Sequence, residues 1–181
     1  MSTLTIELPS QTAQTKFNLH RWTELLSDPQ LAKIEGRIET DRYGHIIMSP
    51  PLAPNHGSFQ LEIGYLLRQL MQDGRTLTEC PISTADGVKA ADGAWASPEC
   101  MRELGNRVCF PRSPEICVEV LSPSNTKAEI DEKKALYFDA GAKEVWICAK
   151  SGVMSFFSLE APASTGASRL CPKFPKRIEL R

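Results

Sequence analysis

Residues 113–123 read Ser113-Pro114-Glu115-Ile116-Cys117-Val118-Glu119-Val120-Leu121-Ser122-Pro123. A near-continuous apolar run of this length, bounded by prolines, predicts a strand buried on both faces. Glu119 stands inside it. An unpaired carboxylate there costs several kcal/mol or takes up a proton, and a metal ion or a cationic side chain removes the difficulty. Ser122 to Asn125 is turn chemistry. Thr126 with Glu129 forms a capping-box pattern, so a helix should start there and run to about Ala140, with Gly141 in the left-handed position after it. Val145, Trp146, Ile147 and Cys148 then predict a second buried strand. Strand, helix, strand is a βαβ-like unit, which points to an α/β layered fold. Glu119 would lie near the C-terminal end of its strand, where ligand sites of open α/β sheets gather.

Upstream, Phe59, Ile63, Leu66, Leu67 and Leu70 recur at helical spacing, with Asn55 or Ser58 as candidate caps. Thr76 to Ile82 and Val88 to Ala96 read as strands around an Asp86-Gly87 turn, and the second carries Asp92. Ser97 should cap a short helix through Leu104. Residues 38–41 and 45–48 read as a β-hairpin, followed by an extended connector from Ser49 to Pro54. Asn18 is a candidate cap for a helix through Trp22 and Leu25, with a further turn at Leu31 to Ile34. Downstream, Met154 to Leu159 reads as a strand and 160–170 as a surface loop. The expected organisation is a loose arm over residues 1–17, with a short strand at Leu4 to Leu8, one domain over 18–160, and a loop and tail over 161–181.

The chain has 181 residues and a formal net charge of −1. That size suits one domain, and the charge excludes a globally basic nucleic-acid binder, so any such contact must use a local patch. No apolar run approaches the ~20 residues a membrane helix needs. No signal peptide is visible, and none of the six cysteines forms a Cys-x-x-Cys pair. Reduced thiols in a cytoplasm are the expectation.

Two acids, Asp92 and Glu119, sit on apparent core strands, and Lys133 lies on the helix that follows. This set suits metal-assisted phosphodiester hydrolysis. The acids would hold Mg²⁺ (or Mn²⁺ in its place) through oxygen ligands. The ion would polarise phosphate and acidify a bound water, and the lysine would orient that water or offset developing charge. On a helix turning about 100° per residue, Lys133 falls within the apolar arc near Leu136, Tyr137 and Ala140, whereas Lys134 falls outside it. Snorkelling to solvent is the competing account of Lys133.

The ordered set Arg37-Ile38-Glu39, Ile47-Met48-Ser49-Pro50-Pro51 with His56, Ala91-Asp92, Trp95-Ala96-Ser97-Pro98-Glu99, Glu119 to Ser124, Glu132-Lys133 with Ala135-Leu136-Tyr137, and Gly141, Glu144 and Trp146 resembles the Uma family of restriction-endonuclease-like proteins, in the PD-(D/E)xK nuclease superfamily. The resemblance covers roughly residues 18–159. It implies a restriction-endonuclease-like mixed β-sheet flanked by α-helices, Mg²⁺ and a nuclease-type site. Ala91 stands where the superfamily pattern has proline, and Leu121 occupies the lysine position of its glutamate-x-lysine pair. The basic role would then pass to the helix.

The expected catalytic residues are Asp92, Glu119, Lys133 and Glu39. Asp92 and Glu119 are the metal ligands, Glu39 is an outer acid or third ligand, and His56 is an accessory. Against these stand plainer readings: Glu119 paired with an arginine such as Arg112, Asp92 as a turn residue, Glu39 as a solvated strand residue, His56 as a helix-entry residue, Tyr137 as packing and Gln60 as solvated. The expected function is a Mg²⁺-dependent endonuclease acting on DNA as a homodimer. The alternatives are a catalytically weak or inactive nucleic-acid-binding module that keeps the fold and, third, a cysteine hydrolase using His56 with Cys80 or Cys109.

Overall fold

The computed structural model describes residues 11–33, 36–49 and 53–180. In chain order these form α1 (Gln11–Ser27), a 3-10 turn (Leu31–Lys33), β1 (Arg37–Thr40), β2 (Ile46–Ser49), α2 (Pro54–Leu70), β3 (Arg75–Thr84), β4 (Gly87–Ala96), α3 (Pro98–Leu104), β5 (Ile116–Val120), α4 (Lys127–Asp139), β6 (Glu144–Cys148), β7 (Met154–Ser158) and β8 (Ala161–Thr165). The strand expected at Leu4 to Leu8, Ile34, and the connector residues 50–52 lie outside the described residues.

β5 is buried at every position because it has neighbours on both edges and layers on both faces. It pairs antiparallel with β4 and parallel with β6. The sheet order is β3-β4-β5-β6-β7-β8, so the fold is α/β with a mixed six-stranded sheet. Strand alternation sorts the core into two layers. Ile116, Val118 and Val120 join Trp146, Cys148 and Phe156 against Phe59, Ile63 and Leu67 of α2. Cys117, Val145 and Ile147 face the other way, against Ile130, Tyr137 and Ala140. Burial of each large apolar side chain contributes about 1.5–3 kcal/mol.

The capping box at the start of α4 is formed: Thr126 Oγ1 accepts from Glu129 N, and Glu129 Oε2 accepts from Thr126 N at 2.7 Å. Gly141 follows with φ +107°. Ser97 caps α3 as expected. α2 differs: it starts at Pro54 with no side-chain cap. Proline at the first helical position lacks the N–H that a cap would satisfy.

Two further expectations fail. Residues 11–17 are helical and not a loose arm, and Asn18 lies in the middle of α1. Its Nδ2 donates to Ser83 Oγ, Thr84 O and Gly87 O at 2.9, 2.9 and 3.2 Å. The buried carbonyls of the β3–β4 turn need donors, and the asparagine serves them from a neighbouring helix. Gly87, at φ +82°, has no room for a Cβ, which would meet Asp41 O at 2.3 Å. Residues 161–165, read as loop, form the edge strand β8. The chain then returns to the core, where Cys171, Phe174 and Ile178 are buried and the Phe174 ring lies 4.6 Å from that of Trp146. Glu144 fastens this return by accepting from Ser168 Oγ and Arg169 N at 2.6 and 2.7 Å. Small polar residues hid the strand because they carry little hydrophobic alternation.

Candidate active site

β4 and β5 are paired as far as Gly93 and Val118. Beyond that point side chains take over from the ladder. Val120 N donates to Asp92 Oδ2 at 2.6 Å, and Val120 O lies 3.0 Å from His56 Nε2. His56 Nε2 is also 3.2 Å from Asp92 Oδ2. Both neighbours are acceptors, so Nε2 carries the hydrogen. His56 comes from the first turn of α2, which the Pro54 start aims at the end of β5.

The β1–β2 hairpin closes the site from the other side. Glu39 Oε1 accepts from Ala90 N of β4 at 2.9 Å. Arg37, two residues earlier and on the same face of β1, donates from Nη1 to Asp92 Oδ1 at 2.5 Å and from Nη2 to Glu39 Oε1 at 3.2 Å. Its Nε faces Glu79 Oε2 at 3.5 Å. Lys133, on α4, donates from Nζ to Glu39 Oε1 at 2.8 Å and approaches Glu119 Oε2 and Oε1 at 3.3 and 3.5 Å. One helical turn on, Tyr137 donates its hydroxyl to Glu119 Oε1 at 2.6 Å. Asp92, Glu119, Glu39 and His56 are all buried, with relative exposures of 1%, 4%, 7% and 6%.

These contacts set the charges. Burial, with Asp92 nearby, pushes the Glu119 carboxyl up to about 7 despite Lys133, Arg37 and the Tyr137 hydroxyl. Burial would also raise Asp92, but the His56 hydrogen bond, Arg37 and Val120 N–H outweigh it and hold Asp92 below its ordinary value. Glu39 is likewise lowered, since Lys133 and Arg37 overcome its burial. Burial would lower Lys133, yet Glu119 and Glu39 raise it above its ordinary value, so it is an ammonium at neutral pH. His56 is raised, because Asp92 overcomes the effect of burial.

The structure therefore brings Asp92, Glu119, Lys133, Glu39 and His56 to one cleft of about 620 Å³, also lined by Arg37, Lys89 and Ser122. A second cleft of about 760 Å³, between Tyr65, Arg68 and Arg75, holds none of these acids. Arg112 is not the partner of Glu119; it pairs with Glu103. Gln60 is not merely solvated, since it donates to Glu79 Oε1 and Asp92 O at 2.6 and 3.1 Å. Sequence reasoning missed Arg37 and Glu79 and read Tyr137 as packing. Arg37 was findable, because residues i and i+2 of a strand share a face. The hydroxyl of Tyr137 was not, because periodicity reports burial and not what a polar tip meets.

Asp92 and Glu119 supply the hard oxygen donors that suit Mg²⁺ or Mn²⁺. Among the described residues no three Asp, Glu, His or Cys side chains converge tightly enough to hold an ion alone. Such a cation would complete its shell with water, main-chain carbonyl or phosphate oxygens, as Mg²⁺ commonly does. A thiol mechanism is overturned: all six cysteines are free and buried, and burial drives Cys80 well above its ordinary value and Cys109 up to about 12. A neutral buried thiol is a poor nucleophile.

A mixed sheet flanked by helices, with acids gathered where β4 and β5 part, is the architecture of restriction-endonuclease-like proteins. The chain belongs to the Uma2 family, described as "Putative restriction endonuclease", whose model matches residues 22–173. It is also similar to a crystal structure of a "putative nuclease belonging to DUF820" from Anabaena variabilis ATCC 29413, at 17% identity and a TM-score of 0.62, over 75% of this chain and 78% of that one. No curated protein matches. Among the described residues no helix is long and apolar enough to cross a membrane.

Proposed function

We propose that the protein is a Mg²⁺-dependent endonuclease that hydrolyses phosphodiester bonds of DNA, with Mn²⁺ able to replace Mg²⁺. The observation that carries this is Glu119, a buried carboxyl raised to about 7 beside the ionised Asp92, with the ammonium of Lys133 3.3 Å away. Two close carboxylates that cannot both ionise cheaply call for a cation. Asp92 and Glu119 would hold it, and when bound it would polarise the scissile phosphate and acidify a water.

The remaining roles follow from the side chains. Lys133 is held charged by Glu39 and Glu119, so it serves as a donor that orients the attacking water and offsets phosphate charge, and not as the base. Tyr137 fixes the Glu119 carboxyl through its hydroxyl. His56 and Val120 N–H hold Asp92, which makes His56 a positioning residue. The water oxygen bonds to phosphorus as one ester P–O bond breaks; the water gives up its proton to solvent and the leaving oxygen takes one from solvent.

Two copies related by a two-fold axis would cut both strands of a duplex. The strand at Met154 to Leu159 is a poor dimer surface, since Met154 and Phe156 face the core and β8 covers the edge of β7. The outer face of α2, with Leu61 and Tyr65 exposed, is the better candidate. Of the expected DNA contacts, Arg102, Arg107, Arg112 and the tail lysines, Arg102 and Arg112 pair with Glu99 and Glu103 and Arg107 donates to the Glu103 carbonyl, so phosphate contacts fall more to Lys173 and Lys176.

The test is cleavage of duplex DNA with Mg²⁺, Mn²⁺ or a chelator, using the parent chain and the Asp92→Asn and Glu119→Gln variants. Metal-dependent nicking that both variants lose supports the reading. Binding of DNA without cutting in any metal favours the second reading, a catalytically weak or inactive nucleic-acid-binding module. That reading draws on Arg37, whose guanidinium pairs with Asp92.

A further inference from the structure

Arg37 has no role in the proposed chemistry. It is nearly buried, with 12% of its side chain exposed, and it touches three acids: Asp92 at 2.5 Å, Glu39 at 3.2 Å and Glu79 at 3.5 Å. The three contacts are unequal. Nη1 has a short bond to Asp92 Oδ1. Nε is buried without a hydrogen bond, although the Glu79 carboxylate stands opposite. The guanidinium thus sits closer to Asp92 than to its outer partner Glu79.

Glu79 is built to wait there. It is the only non-glycine with positive φ among the described residues, at +48°. A conformation of that kind persists only when its surroundings impose it. Gln60 holds the carboxylate at 2.6 Å and the neighbouring Asp92 carbonyl at 3.1 Å, so the acid, though 44% exposed, is tied to the rim of the site.

We propose that Arg37 is an exchangeable counter-ion for the metal site. Its guanidinium pairs with Asp92, and without a divalent cation that pairing would neutralise the acid. When a divalent cation binds, Arg37 gives up Asp92 and keeps Glu39 and Glu79, which carry its charge. This rests on the assignment of Asp92 and Glu119 as metal ligands. The exchange gives the site two functions of one residue: it keeps the acids soluble in a buried cleft without metal, and it sets a threshold for metal occupancy.

The experiment is Mn²⁺ titration by calorimetry on the full chain, with thermal melting of each variant in chelator to show that it is folded. Arg37→Met should bind Mn²⁺ about tenfold more tightly or better, the lower end of what one neighbouring charge does to a carboxylate, and should melt lower in chelator. Glu79→Gln should bind several-fold more weakly, because Arg37 then loses its second anchor. A purely structural Arg37 predicts the lower melting temperature with Mn²⁺ affinity unchanged or weaker, and that result overturns the proposal. If Arg37→Met does not fold, Glu79→Gln decides: unchanged affinity there overturns it as well. Mn²⁺ binding to neither the parent nor any variant would instead overturn the metal assignment itself, and the counter-ion with it.

Discussion

Lys133 Nζ lies 2.8 Å from Glu39 Oε1, nearer than to either oxygen of Glu119, at 3.3 and 3.5 Å. Lys133 of α4 is thus held by an acid from the β1–β2 hairpin, a part of the chain outside the main sheet. In the proposed reaction Glu39 would act through Lys133, and the hairpin lines the same cleft.

Lys133→Ala should abolish cleavage while Mg²⁺ still binds. It should also destabilise the protein by about 3–5 kcal/mol, the usual cost of removing one partner from a buried ion pair. Lys134 pairs with Asp131 and lies over the Phe157 ring at 4.0 Å. Lys134→Ala should leave cleavage intact and cost no more than about 1 kcal/mol. Nicking assays and denaturant melts of both variants check this. Retained cleavage in Lys133→Ala would remove the lysine from the mechanism.

Stability should depend on pH through Glu119. Its folded pKa of about 7 exceeds its ordinary value of 4.5. The folded state therefore binds the proton more tightly, and stability falls as pH rises from about 4.5 to 7. Metal-free Glu119→Gln should flatten that fall. Above pH 7 it should be more stable than the parent by up to about 3 kcal/mol, less whatever the weakened Lys133 contact costs. It should also lose Mg²⁺ binding. Melts across pH 5 to 8 in chelator read the first effect and calorimetry the second. Parallel curves for parent and variant would contradict the assignment of the raised pKa.

His56 should titrate above its ordinary value because of Asp92. Its contribution is fully present below about 6.5 and is lost as pH rises through the folded value. Asp92→Asn should move the His56 imidazole titration downward, as followed by NMR. An unmoved titration would mean that Asp92 does not set the charge of His56.

Asn18→Ala should destabilise the fold by about 1–3 kcal/mol, since Thr84 O and Gly87 O lose a buried donor. It should not change metal affinity, because its contacts lie at the β3–β4 turn. A variant with the parent's melting temperature would show that water replaces the amide.

The sequence alone determined the local order around Glu119. A five-residue apolar run, a capping box and a glycine after the helix are decided by neighbours a few positions apart, and β5, α4 and β6 followed from them. The same local logic marked Asp92, Glu119 and Lys133 as candidates, because a charge at an apolar position needs a partner wherever it lies. The tertiary structure decided who that partner is. Residues 39 and 133 meet only because the hairpin folds over β4, and Arg37 reaches Asp92 only across strands distant in sequence. It also decided that Asn18 donates from mid-helix and that 161–165 complete the sheet. In those places hydrogen bonds to distant backbone govern the structure, and no local pattern of polarity records them.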